Sequence, residues 1–420
     1  MKKIVAVLLT LVLVFLSSAP LYAADFKDED ALVSEYIAVY NVEKKRVVFA
    51  KNADVPTAPG ATAKLMTAVL ALEYFGGIPD KNVTVTPAAT RGLEGSAVLG
   101  KGLKAGEEIS VRDLLYALMV AGANDAANVL AIEVAGSIPE FVKQMNRKAA
   151  SLGATETVYL NATGLDALGA RTTAEDAAII AGYAYQNASL MALCSTRSYT
   201  VPATNLHDAV TLYTKNFLLS TQYGYYDATA EGMTVGYTDN AGWTIVSARN
   251  TGAYPYVCVS MQSQKDDAGK IGAYHDVRKL LAWASDNFAD RKLLDASKIM
   301  QELSVLGGKA NHVLLVPAES LYAFLDKDID LSRIEITQEL QADKLTAPVA
   351  KGTTVGTAHL LLDGKEIASV PLITRNAVKK SGGKNVLLFL GRVLRSPFLW
   401  IGIAIIAAFA ALVLHKRKQK

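Results

Sequence analysis

The sequence predicts an α/β domain, a largely antiparallel sheet covered by helices, followed by a small all-β domain and an apolar C-terminal helix. Three observations carry this. Residues 36–40 and 46–50 alternate as a strand pair, helical segments fill residues 61–185, and strands return from residue 233 before a closing helix over 275–287. That order builds one layered α/β domain. After residue 294 only short strands follow, and residues 398–414 form a long uncharged apolar run.

The N-terminus comes first. Met1-Lys2-Lys3 is basic, residues 4–16 are apolar apart from Thr10, and Ser17, Ser18, Ala19, Pro20 and Ala23 supply a break and small residues. This three-part plan is that of a secretory signal peptide, residues 1–23. The alternative, an uncleaved anchor, is disfavoured by the shortness of the run and by the polar residues 25–30. The predicted mature body starts at residue 25, with its first domain over 25–293. Glu43-Lys44-Lys45 is the turn of the opening hairpin. A helix over 61–74 buries Leu65, Val69 and Leu72 and ends at Gly76-Gly77. Ser110 with Asp113 three residues on reads as a helix cap. Helices are expected over 114–121, 125–134, 138–152 and 173–185, and strands over 234–238, 243–248 and 254–261.

The second domain, 294–376, contains short strands over 312–316, 334–336, 355–362 and 366–373. Asp363-Gly364 is a hairpin turn between the last two. Residues 377–397 read as a linker and amphipathic segment, with 379–384 flexible. A helix over 398–414 covers roughly 25 Å, near the lower limit for crossing a bilayer. The tail 415–420 is basic. With an exported N-terminus, the body is expected on the extracytoplasmic face of the cell membrane and the tail in the cytoplasm.

Composition excludes some functions. There are 43 Lys+Arg against 40 Asp+Glu, a formal charge of +3. A nucleic-acid partner would call for a basic excess or stripe. The five histidines show no metal-ligand spacing, which disfavours a zinc peptidase, and no metal or cofactor is expected. Cys194 and Cys258 sit in apolar surroundings and read as ordinary buried residues. His207-Asp208 and His275-Asp276 are adjacent pairs whose side chains diverge, so surface roles are expected. Tyr213, Tyr223, Tyr225 and Tyr226 could stack on sugars, but packing on the domain is the preferred reading.

Acyl transfer by serine and lysine needs a Ser facing a Lys one helical turn later, a second hydroxyl with an amide, and a cation on an edge strand. In sequence these are S-x-x-K, S-x-N and K-T-G. Three segments follow that plan in order: Pro59-Gly60-Ala61-Thr62-Ala63-Lys64, Ala121-Gly122-Ala123-Asn124-Asp125, and Gly232-Met233-Thr234-Val235-Gly236-Tyr237-Thr238. Asn161-Ala162-Thr163-Gly164-Leu165-Asp166 and Ala347-Pro348-Val349 are weaker matches. On these segments the chain, over about residues 30–376, resembles the serine D-Ala-D-Ala carboxypeptidases, the low-molecular-mass penicillin-binding proteins. The resemblance implies a penicillin-binding-protein/β-lactamase-like first domain and a peptidoglycan stem peptide as ligand.

Under that resemblance the departures are as informative as the matches. Ala61 stands at the nucleophile position and Gly122 at the second hydroxyl position, where the family has Ser. Lys64 and Asn124 are retained. Thr234-Val235-Gly236 replaces K-T-G, so the cation and one hydroxyl are gone and Gly236 remains, expected to let a substrate approach the edge strand. Thr62 is the nearest hydroxyl, but it lies about 100° round the helix from position 61. Lys64 is expected to pair with Asn124 and a backbone carbonyl. Losses in all three motifs argue for natural decay over a single engineered substitution. The reading is a membrane-anchored pseudoenzyme that binds stem peptides or a cell-wall protein. The alternative is an active carboxypeptidase with a displaced nucleophile.

Overall fold

The computed structural model describes residues 26–27, 31–383 and 394–418, with side chains described as far as residue 407. The expected signal peptide, 1–23, and most of the amphipathic segment before the last helix lie outside the described residues. The chain divides into two compact units, 1–288 and 289–420.

The first unit is built on a five-stranded sheet. Its strands are β1 (Tyr36–Asn41), β2 (Arg46–Lys51), β7 (Ala230–Thr238), β8 (Gly242–Asn250) and β9 (Pro255–Ser263). They lie in the order β2-β1-β9-β8-β7. Every pairing is antiparallel. β1, β8 and β9 are buried along most of their length because the sheet is covered on both faces, and such strands read as near-continuous apolar runs. β7 is an edge strand.

On one face lies a helical layer: α1 (Thr62–Phe75), α2 (Val111–Tyr116), α3 (Asn124–Ala135), α4 (Ile138–Ser151), α5 (Ala174–Tyr185) and α6 (Ala188–Cys194). α7 (Ala273–Asn287) packs on β8 and β9. Every α1 residue from Thr62 to Leu72 is buried, as expected of the central helix of the layer. α1 stops at Gly76, whose φ of 69° lies in the left-handed region. Glycine adopts that conformation without strain. The Gly77 amide then closes on the Leu72 carbonyl at 2.9 Å. The expected cap is formed: the Ser110 hydroxyl accepts from the Asp113 amide at 3.0 Å.

The helix expected over 114–121 is α2 continued by a π-turn, Ala117–Ala121, that ends at Gly122 with φ 70°. The sequence reading did not foresee α6, nor the short pairs β3 (Asn82–Thr84) with β4 (Glu108–Ser110) and β5 (Ser198–Val201) with β6 (Val210–Tyr213).

The second unit holds a six-stranded sheet. Its strands are β11 (Gln301–Leu306), β12 (His312–Pro317), β14 (Ile334–Leu340), β15 (Lys344–Thr346), β16 (Thr354–Leu362) and β17 (Lys365–Thr374). Their order is β14-β16-β17-β12-β11-β15. β10 (Phe288–Leu294) and β13 (Leu321–Asp326) form a separate pair. In the turn between β16 and β17, Asp363 has φ 49° and Gly364 has φ 77°. Two left-handed residues in succession are what a two-residue hairpin turn requires.

Residues 379–381 differ from the flexible linker expected there. The Lys379 carbonyl accepts from the Lys309 amide and the Ser381 amide donates to the Gly307 carbonyl, both at 2.8 Å. The apolar run 398–414 lies within α8 (Pro397–Lys418). Among the described residues no helix is long and apolar enough to cross a membrane.

Candidate active site

The candidate site gathers where the N-terminus of α1 meets the edge strand β7. Ala61 caps α1 and is 3% exposed. A Cβ built on Gly236 would sit 2.9 Å from the Ala61 Cβ, so strand and helix touch at the glycine itself. The close neighbour of its bare Cα is the helix cap. Thr234 is buried and its hydroxyl turns to the Ala61 carbonyl at 3.4 Å.

Lys64 is buried one turn along α1, and its Nζ donates to the Thr163 carbonyl at 2.6 Å. Burial lowers its pKa to about 8, since a desolvated ammonium is disfavoured. The expected Lys64–Asn124 hydrogen bond is not made among the described residues. Asn124 is buried, its backbone N–H donates to the Ala97 carbonyl at 2.7 Å, and its Oδ1 has no partner among the described residues. A Cβ built on Gly122 would lie 3.9 Å from both Lys64 Cε and the Val235 carbonyl oxygen, which is ordinary contact. Ala61, Lys64, Gly122 and residues 234–236 therefore border one space.

The Thr62 hydroxyl is buried and donates to the Pro59 carbonyl at 2.6 Å. It faces away from that space and is committed to the backbone.

Residues 161–166, matched in the sequence without a role, form the third wall. The Asn161 carboxamide oxygen accepts from the amides of Thr163 and Gly164, at 3.1 and 2.7 Å, and from the Thr163 hydroxyl. Its Nδ2 donates to the Leu165 carbonyl at 2.8 Å. This closed turn aims the Thr163 carbonyl at Lys64. A Cβ at Gly164 would fall 1.8 Å from the Gly60 carbonyl oxygen. Only glycine therefore lets the loop lie on the start of α1. Asp166 ties the loop to the β7–β8 hairpin, accepting from the Thr238 hydroxyl at 2.7 Å and the Asn240 amide at 3.0 Å. Beside Asn124, the buried Asp125 carboxylate accepts from the amides of Leu99, Leu103 and Ala126. Burial raises its pKa while these amides oppose the shift.

The other candidates lie outside this site. His207 pairs with Glu107 at 3.0 Å and meets Asp208 only through its carbonyl. His275 packs against the Tyr225 ring. Tyr223 stacks on Phe217 at 3.9 Å and the Tyr225 hydroxyl accepts from the Ile271 amide, so these rings pack on the domain. Cys194 and Cys258 are buried, unpaired thiols. A cavity of 770 Å³ lined by Val42, Tyr185, Met191, Glu231 and Pro255 reaches none of the motif residues.

A helix N-terminus with a lysine one turn on, laid against an edge strand and closed by loops from the helical layer, is the layout of the penicillin-binding-protein/β-lactamase-like fold. Residues 25–265 match the family described as D-alanyl-D-alanine carboxypeptidase, and the chain belongs to that family. Residues 288–380 match the domain described as penicillin-binding protein 5, C-terminal domain. The chain is 26% identical over 389 residues to the D-alanyl-D-alanine carboxypeptidase DacF of Bacillus subtilis, covering 91% of this chain and 96% of that one. It is 28% identical over 342 residues to DacD of Escherichia coli, covering 79% and 84%. Among solved structures, penicillin-binding protein 5 of Haemophilus influenzae is similar with a TM-score of 0.60 at 26% identity, covering 83% of this chain and 98% of that one.

Proposed function

We propose that this chain is a non-catalytic member of its family, exported and held at the outer face of the cell membrane, that binds peptidoglycan stem peptides or a cell-wall protein. One observation carries the reading. The position that faces the site from the head of α1 is the methyl of Ala61, and the adjacent Thr62 hydroxyl is locked on the Pro59 carbonyl. A methyl group cannot attack a carbonyl. Loss of the nucleophile in such sites costs on the order of 10⁶ in rate. The second hydroxyl is missing at Gly122 and the cation at Thr234, so the remaining groups suit binding better than turnover. Attachment rests on the apolar run 398–414 and its basic tail, and export on the pattern of residues 1–23.

The test is intact-mass analysis of the purified protein after prolonged incubation with a penicillin. The expected result is no covalent adduct. A stoichiometric mass increase that disappears on Thr62→Ala would overturn the reading and establish a displaced nucleophile.

A further inference from the structure

We infer that the 770 Å³ cavity at the end of the sheet where β7 and β9 begin is a binding site for an alkylammonium group, with Glu231 as its acceptor. A second tyrosine–glutamate pair in the same unit shows what completes such an arrangement. The Tyr183 hydroxyl donates to Glu73 Oε1 at 2.6 Å. Lys148 Nζ donates to the same oxygen at 2.6 Å and to the Tyr183 hydroxyl at 2.9 Å, and lies 4.3 Å from the centre of the Tyr183 ring. One ammonium on an alkyl stem thus meets the carboxylate, the phenol oxygen and the ring face together. Two residues along α5, Tyr185 repeats the pair, donating to Glu231 Oε2 at 2.6 Å. No lysine follows here. Among the described residues Glu231 Oε1 accepts no hydrogen bond and no cation pairs with this carboxylate. The cavity opens beside it instead.

The backbone holds Glu231 on that wall. Ala230 pairs with Arg249 and Met233 with Ser247, so Glu231 and Gly232 stand together opposite Ala248. This is a β-bulge, a device that re-aims a side chain. Gly232 has φ 79°, and a Cβ on it would fall 2.3 Å from the Cys194 carbonyl oxygen. Only glycine lets the start of β7 lie on the end of α6. The Ser195 hydroxyl fixes the other side by donating to the Glu231 carbonyl at 2.8 Å. Burial, and then the Glu231 carboxylate, raise the Tyr185 pKa, so the phenol stays a donor to Glu231.

The remaining wall suits the stem of such a ligand. Val42, Met191 and Pro255 supply apolar surface, and methionine adapts its shape to what it packs on. The volume falls in the range of small-molecule sites. On the rim Glu43 and Lys45 carry opposite charges, so Glu231 sets the sign of the cavity. A carboxylate only accepts, and the Tyr185 hydroxyl has spent its donor, so the ligand brings the donor and the positive charge. A free alkyl amine and a lysine-type side chain on a peptide share this chemistry. The inference does not rest on the reading of Ala61, because the cavity reaches none of the motif residues.

The experiment titrates pentylamine into the full chain in detergent and follows binding by saturation-transfer NMR. Wild type should bind pentylamine, with pentanol and pentanoate weaker by about tenfold or more. Glu231→Gln should weaken the amine roughly ten- to a hundredfold, the worth of a charge-assisted hydrogen bond. Glu73→Gln, in the pair that Lys148 already serves, should leave it unchanged. Ala192→Phe, at an exposed position on the cavity wall, should abolish binding by filling the space, and it carries the test if Glu231→Gln does not fold. Uptake by the micelle is common to wild type and variants and cancels in the comparison. A blocked Gly-Lys-Gly peptide that binds as tightly as pentylamine identifies a peptide side chain as the source, and pentylamine binding alone identifies a free amine. Absence of binding by either amine, equal binding of pentanol, or an affinity unmoved by Glu231→Gln or Ala192→Phe overturns the proposal.

Discussion

At Ala61 the proposed loss of turnover comes down to the gap between a methyl and a hydroxymethyl group, yet restoring that oxygen alone should not restore turnover. A charge-assisted hydrogen bond to a carboxylate contributes about 1.5–3 kcal/mol, roughly ten- to a hundredfold, and Thr234 cannot supply it. Gly122 adds a backbone obstacle that the sequence does not reveal, because its φ is 70°. Holding an L-residue in that left-handed region costs roughly 1–2 kcal/mol. We expect Ala61→Ser to leave release of D-Ala from a stem-peptide mimic at background, with Ser at 61 and 122 and Lys at 234 required together. We also expect Gly122→Ser to lower stability in urea by about that strain. A relative's turnover from the single change would show that the other two positions matter little. Lys64 yields a pH prediction. Its native pKa of about 8 lies below the ordinary 10.5. Between those values the unfolded chain holds more protons than the native one, so stability from this group rises with pH. The native state bears the full cost of the buried charge below pH 8 and is relieved of it toward 10.5. Lys64→Met removes that dependence. The stability of wild type relative to Lys64→Met should therefore rise by about 2–3 kcal/mol between pH 7.5 and 10.5. Urea melts at the two pH values measure it, and a constant difference would mean that the amine is well solvated.

Among the elements, the 161–166 turn has the most influence on the site. Removing the Asn161 carboxamide strands the amides of Thr163 and Gly164 and frees the carbonyl that holds Lys64. Buried groups left without partners cost about 1–3 kcal/mol each. Asn161→Ala should lower stability by an amount in that range and should also shift the Lys64 titration followed by NMR. Loss of stability with an unmoved titration would confine Asn161 to a structural role. This loop also marks where legibility stopped. The helix and strand that carry Ala61, Lys64 and residues 234–236 were readable because periodicity and turn residues announce them. Which carbonyl accepts from Lys64 was not, because a backbone carbonyl 99 residues away has no side-chain signature. The sequence pointed to Asn124 and to an unspecified backbone carbonyl; the fold supplies the carbonyl, that of Thr163, and not the amide. α6 and the pairs β3–β4 and β5–β6 are short, and they form because tertiary contacts hold them.

At the scale of the whole molecule the proposed membrane attachment can be tested directly. Backbone pairing in the second unit continues through Ser381, so a chain cut after Lys384 keeps every described backbone bond of its sheets. The cut removes the run 398–414 and the segment before it. The proposed export by residues 1–23 and proposed anchoring through 398–414 make two distinguishable demands. Full-length protein should resist carbonate and high salt and yield only to detergent, because a spanning helix inserts effectively irreversibly whereas an interfacial helix binds reversibly. The truncated protein should appear folded in the medium. Release of the full-length protein by salt would place the C-terminal helix on the membrane surface. Retention of the truncated protein would point to an uncleaved N-terminus, or to a second unit that itself binds lipid. N-terminal sequencing of the retained protein separates those two, because only cleavage exposes a new terminus near residue 24.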